Sequence, residues 1–177
     1  EGSQLVAVAD SVDENAKNLA ETYGVNPTSV DAIFEDNSIE AVLIASSTDT
    51  HSDFIEKASI AGKAILCEKP VDLSLARAKR CLENTKSNEH SIMMGFNRRF
   101  DPNFVALKNA LDGGEIGTAE LLSITSFDPA PPPIDYVKVS GGIFKDMMIH
   151  DFDMVNFLYG ELPKSIFVSA SAIIDKK

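Results

Sequence analysis

The chain has 177 residues, 44% of them hydrophobic, enough for one large domain or two small ones around real cores. Its 16 basic and 27 acidic residues leave a formal net charge of −11. That balance argues against nucleic acid or an anionic membrane as main partner, since both select for clustered Lys and Arg. The densest basic stretch, "RAKR" at 77–80, lies inside a mixed helical pattern and reads as a solvated face. Cys67 and Cys81 lack metal-like spacing and fit the reduced thiols of a cytoplasmic protein. No apolar run approaches a membrane span, and the first ten residues lack the basic and apolar regions of a signal peptide.

In chain order, the apolar runs "LVAVAD" (5–10), "AVLIAS" (41–46), "AILCE" (64–68) and "SIMMGF" (91–96) are nearly continuous. Such runs predict parallel strands covered on both faces. Amphipathic helical patterns at 13–24, 51–62 and 73–86 separate them. Gly24 and Gly62 stand where helix ends need a left-handed residue. Repeated strand–helix order gives an α/β fold with a right-handed parallel sheet. After residue 97 the texture changes. Residues 101–117 read as a helix closed by a Gly-rich turn, and 118–127 as a strand. The Pro-rich stretch 128–142 reads as a loop long enough to suspect a functional role. A long apolar helix at 142–160 and a strand at 164–173 complete an α+β second part.

Four motifs carry candidate chemistry. Asp10 closes the first run, where an acidic residue can accept hydrogen bonds from a ribose and repel a 2′-phosphate; a helix cap or turn carboxylate is the plain alternative. "SSTDTH" (46–51) puts small hydroxyls at a strand's C-terminal end, where open α/β sheets bind ligands. Thr50 or Ser52 serves equally as a helix cap, and His51 as a surface residue or a ligand contact. "CEKP" (67–70) places the Lys69 ammonium at the end of a buried strand; a surface lysine is the alternative. In "FKDMMIHDFDM" (144–154), a continuous helix at about 100° per residue would gather Asp146, His150 and Asp153 into one polar stripe. A carboxylate one turn from an imidazole suits general-base chemistry, while a metal site or a buried ion-pair network reads the same residues differently. Asp151 falls off the stripe and should have a structural partner.

Together "VAVAD", "SSTDTH", "CEKPVDLS", "GFNRRFDPNF", "GEIG" and "SGGIFKDMMIHDFDMVNFLYGELP" resemble the Gfo/Idh/MocA family of NAD(P)-dependent oxidoreductases, the last segment being closest to its inositol 2-dehydrogenases. The resemblance implies a Rossmann-like dinucleotide-binding part at 1–97 and a substrate and catalytic α+β part at 98–177. It implies a catalytic set of Lys69, Asp146 and His150, with Arg99 and Lys69 contacting substrate and no metal. Asp10, Ser46, Ser47, Thr48, His51 and Glu68 would contact the cofactor, NAD in preference to NADP. The substrate class would be a cyclic polyol or sugar, the assembly a homo-oligomer, and the Lys69–Pro70 bond cis. The family's first strand, its G-x-G-x-x-G loop and its C-terminal half-sheet have no counterpart in these residues. The chain by itself is therefore expected to bind NAD weakly, to turn over little, and to cover exposed strand edges by self-association. A non-catalytic binding or interaction module of the same family is the alternative.

Overall fold

The computed structural model of the chain describes residues 2–86 and 92–172. Its elements are β1 (Ala7–Val8), α1 (Asp13–Tyr23), β2 (Asn26–Pro27), α2 (Val30–Glu35), β3 (Ala41–Ile44), α3 (Thr48–Ile60), β4 (Ala64–Cys67), α4 (Leu75–Thr85) and β5 (Ile92–Met94). A 3-10 turn (Asn97–Phe100), α5 (Pro102–Asp112), α6 (Ile134–Ser140), α7 (Gly142–Asp146) and α8 (Ile149–Tyr159) follow. Two compact units result: Glu1–Asn97 with Asp128–Ile149, and Arg98–Phe127 with His150–Lys177. Residues 128–149 thus join the first unit, whereas the sequence reading placed them in a contiguous second domain.

In the first unit, β1 pairs parallel with β2, and β3–β4–β5 form a separate parallel sheet in that order. The four apolar runs all contribute strands, although Ser91 of the fourth lies outside the described residues. β2 and α2 were not anticipated. Their local signal was Ser29, whose hydroxyl accepts the Ala32 N–H at 3.1 Å as an N-cap. Gly24 and Gly62 do take positive φ, 66° and 74°.

One face of the three-stranded sheet is packed. Ile44, Ile65 and Cys67 meet Ile55 and Ala58 of α3 and Cys81 of α4, with the Phe34 and Phe54 rings 6.0 Å apart at the margin. On the other face Leu43, Leu66 and Met93 stand in register and are 67%, 39% and 48% exposed. The expectation of strands covered on both faces is therefore corrected for the described residues. The order β3–β4–β5 advances in one direction, so right-handed crossovers set α3 and α4 on the same side. "RAKR" is also not simply a solvated face. Arg77 donates to Glu56 at 2.5 Å and Asp53 at 2.6 Å, tying α4 to α3. Lys63 is buried, and its ammonium donates to the Asp36 and Ile39 carbonyls at 2.6 and 2.8 Å.

In the second unit, Asp101 caps α5 by accepting the Asn103 N–H at 2.8 Å, with Pro102 opening the helix. The strands expected at 118–127 and 164–173 do not form among the described residues, which stop at 172. A strand needs a ladder partner, and these segments form no ladder; Leu121 and Phe167 are 87% and 92% exposed. The single helix expected over 142–160 is two, interrupted at Met147–Met148, where the Met148 N–H reaches back five residues to Ile143 O at 2.8 Å.

Candidate active site

The site in the first unit grows from the end of β4. Beyond Cys67 the chain runs through Glu68 and Lys69 into a cis bond to Pro70, as the resemblance implied. The segment is held from α3: His51 Nδ1 lies 2.8 Å from Pro70 O, and Ser52 Oγ lies 3.1 Å from Val71 O and 2.9 Å from Asp72 Oδ2. His51 Nε2 lies 3.0 Å from Ser46 O at the end of β3. His51 is 2% exposed, with both ring nitrogens facing main-chain oxygens. It is not a surface residue but a strut between two strand ends.

Lys69 points its ammonium at Asp146. Nζ donates to Asp146 Oδ1 at 2.9 Å and to Asp146 O at 2.8 Å, across 77 residues of sequence. The side chains are 17% and 24% exposed, so the pair is shielded without being sealed. A third group joins them. Tyr136, on α6, donates its phenol to the same Asp146 Oδ1 at 2.9 Å, and this bond pushes the phenol's pKa up. Sequence reading missed Tyr136 because 128–142 looked like loop. The signals present were Pro133 at the helix start, Asp135 in the first turn and Gly141 at the end.

The α6–α7 corner is built for close approach. Gly141 has φ 85°, and a Cβ there would come within 2.8 Å of Leu73 Cδ2. Lys145 adds a bond to Leu73 O at 2.6 Å. The corner is thereby fixed on the residues that follow Pro70, which brings Asp146, the last residue of α7, to Lys69.

The remaining expected cofactor residues gather at strand ends of the same unit. Asp10 follows β1 and is exposed, its Oδ1 accepting the Val12 N–H at 2.8 Å, which is the turn reading. Ser46 and Ser47 are exposed; Ser46 Oγ lies 2.6 Å from Thr50 Oγ1, and Ser47 occupies the N-cap of α3 without a side-chain cap bond. Thr48 opens α3. Neither Thr50 nor Ser52, the caps considered from sequence, holds that position. Glu68 is exposed, and its carboxylate sits where a Cβ on Gly95 would come within 2.9 Å. An exposed carboxylate, small hydroxyls and a helix N-terminus suit a ribose and a carboxamide.

The second unit carries His150 and the two arginines. His150 is half-buried near the start of α8. Because the helix breaks before Ile149, the stripe deduced from continuous geometry is corrected: Asp153 belongs to another arrangement. Its carboxylate, 8% exposed at the side chain, accepts Arg99 Nε at 2.8 Å and Nη2 at 2.7 Å. Arg99 also stands 5.5 Å from the centre of the Phe157 ring. The bonds to Asp153 raise the Arg99 pKa further. Arg99, expected at the substrate, is engaged in this fork. Asp151 has its structural partners, Arg98 at 2.5 Å and Ser126 Oγ at 2.7 Å. The described residues contain no cluster of three or more metal-ligating side chains.

Residues 1–96 match an oxidoreductase family with an NAD-binding Rossmann fold, and residues 104–177 match the Gfo/Idh/MocA C-terminal domain. The chain belongs to the Gfo/Idh/MocA family. It is 51% identical over 174 residues to the inositol 2-dehydrogenase of Rhizobium meliloti strain 1021, covering 98% of this chain and 53% of that protein. It is 44% identical to the myo-inositol 2-dehydrogenase of Thermotoga maritima, covering 98% and 52%. Among solved structures, a myo-inositol dehydrogenase from Corynebacterium glutamicum superposes with a TM-score of 0.83 at 44% identity, over 88% of this chain and 47% of that one. A levoglucosan dehydrogenase in complex with NADH and levoglucosan gives 0.76 at 27%, over 89% and 45%. The chain spans about half the length of the curated relatives it matches. No helix among the described residues is long and apolar enough to cross a membrane.

Proposed function

We propose that the chain carries the catalytic core of a dehydrogenase that oxidises a secondary alcohol of a cyclic polyol or sugar, inositol-like, with NAD. The observation that carries this reading is the Lys69 ammonium held on Asp146 at 2.9 Å, beyond the end of β4. When bound, NAD supplies a hydride acceptor. Asp10, Ser46, Ser47, Thr48 and Glu68 are the residues proposed to hold it, with the Asp10 carboxylate disfavouring a 2′-phosphate.

Two of the three Lys69 N–H groups are used on Asp146 among the described residues, which leaves one for an alcohol oxygen. A hydrogen bond from that ammonium polarises the hydroxyl and stabilises the oxygen as it loses its proton. His150 takes the proton as general base, the role the resemblance assigns to it. Asp146 keeps the ammonium in place. Relatives named inositol 2-dehydrogenase at 51% and 44% identity support the polyol class.

The test is NADH absorbance in the intact protein supplied with NAD and a panel of inositols and sugars. Turnover with a cyclic polyol, faster with NAD than with NADP, is expected. No turnover with any of the panel contradicts the reading, and equal efficiency with both cofactors removes the role given to Asp10.

A further inference from the structure

We propose that Tyr136 is a positioning residue of the alcohol-activating pair, holding the Asp146 carboxylate on Lys69; this rests on the dehydrogenase reading above. Asp146 Oδ1 receives two donors, Lys69 Nζ and Tyr136 Oη, each at 2.9 Å. They arrive from different parts of the unit: Lys69 from the end of β4, Tyr136 from α6. A carboxylate held by one flexible ammonium can still turn about its own bond. The phenol, on a rigid ring with only two side-chain torsions, removes that freedom.

The surrounding backbone supports the role. α6 and α7 meet through Gly141 and Gly142, whose φ values are 85° and 74°, so the phenol and the carboxylate face each other across a tight corner. That corner is fastened to the Lys69 segment by Lys145 donating to Leu73 O. Asp146 is the last residue of α7, just before the chain departs from regular helix, so its side chain gains little constraint from the helix itself. The phenol's partner is Asp146, whose Oδ1 also accepts from Lys69; on its own helix, Asp135 and Lys138 pair with each other at 2.8 Å. The bond to Asp146 raises the phenol's pKa, so Tyr136 remains a proton donor throughout the neutral range.

Tyr136→Phe keeps the ring and deletes the donor. In the intact enzyme kcat for polyol oxidation should fall about tenfold, because a misaimed catalytic group slows the chemical step. KM for NAD should stay within about twofold, and the thermal melt should be unchanged. A near-UV phenolate titration of wild type against Tyr136→Phe gives a second readout, since the difference isolates this phenol. Tyr136→Phe should remove a phenol that titrates above its ordinary value, and Asp146→Asn should bring that phenol down. Unchanged kcat and pH profile in Tyr136→Phe, with an active wild type, overturn the role of Tyr136 alone. A phenol that does not respond to Asp146→Asn also overturns it. A wild type with no turnover overturns the dehydrogenase reading, and the positioning role falls with it.

Discussion

Removing Arg99 should unfold the second unit more readily than removing its partner, and the asymmetry follows from exposure. Asp153 is 8% exposed at the side chain and Arg99 41%. Arg99→Met strands a buried carboxylate, for which the loss of one partner costs about 3–5 kcal/mol. At about 1.4 kcal/mol per tenfold, the open form of α8 should rise by roughly 10²–10⁴-fold. Asp153→Asn strands a guanidinium already partly in water and retains an amide oxygen as acceptor, so it should cost only about 1 kcal/mol. Replacing both, Arg99→Met with Asp153→Leu, should recover most of the larger loss, since apolar substitutes for a buried pair are often neutral or stabilising. Amide hydrogen exchange across α8 reads these differences locally. If Arg99→Met left exchange unchanged and raised KM for the polyol, Arg99 would return to the substrate and the fork would be incidental.

The thiols and the His51 strut give two further expectations. Burial pushes the Cys67 thiol from its ordinary 9.0 up to about 12, so the fold favours the neutral form. Its contribution is complete below pH 9 and is lost as pH climbs from 9 toward 12; Cys67→Ala should flatten that part of a urea-stability profile, and an unchanged slope contradicts it. His51→Ala leaves the Ser46 and Pro70 carbonyls without the ring that lies 3.0 and 2.8 Å away and should cost about 2 kcal/mol in urea unfolding. A loss below about 0.5 kcal/mol would show that the strut is dispensable.

What was legible in the sequence was whatever depends on local periodicity. Ile44, Ile65 and Cys67 announced buried strands, and Gly24 and Gly62 announced helix ends, because short apolar runs and positive φ act within a few residues. The covered and open faces of the sheet were not legible. Leu43 is as apolar as Ile44, and only the direction of the crossovers decides which of the two meets α3. Lys69 and Asp146 stood out from the "CEKP" strand end and the polar stripe and were joined by resemblance, but Tyr136 was not noticed, since its α6 turn hides behind three prolines. Asp153 failed for a geometric reason. The stripe assumed an unbroken helix, and the wide turn at Met147–Met148 ends the regular helical register there. Arg99 and Asp153 each read as site residues alone; their bond spans 54 residues, and no short-range pattern encodes it.

In the proposed chemistry the Lys69 ammonium, held by Asp146, activates an alcohol, and His150 serves as general base. Steady-state NADH formation by Lys69→Met and His150→Ala, measured with a cyclic polyol at saturating NAD, tests it most directly. In the intact enzyme kcat should fall about 10²–10³-fold in Lys69→Met and about 10²–10⁴-fold in His150→Ala. NAD binding measured by calorimetry should be nearly unchanged in both. Variants that keep kcat within about threefold of wild type while losing stability would contradict the account and leave the Lys69–Asp146 pair a structural tie.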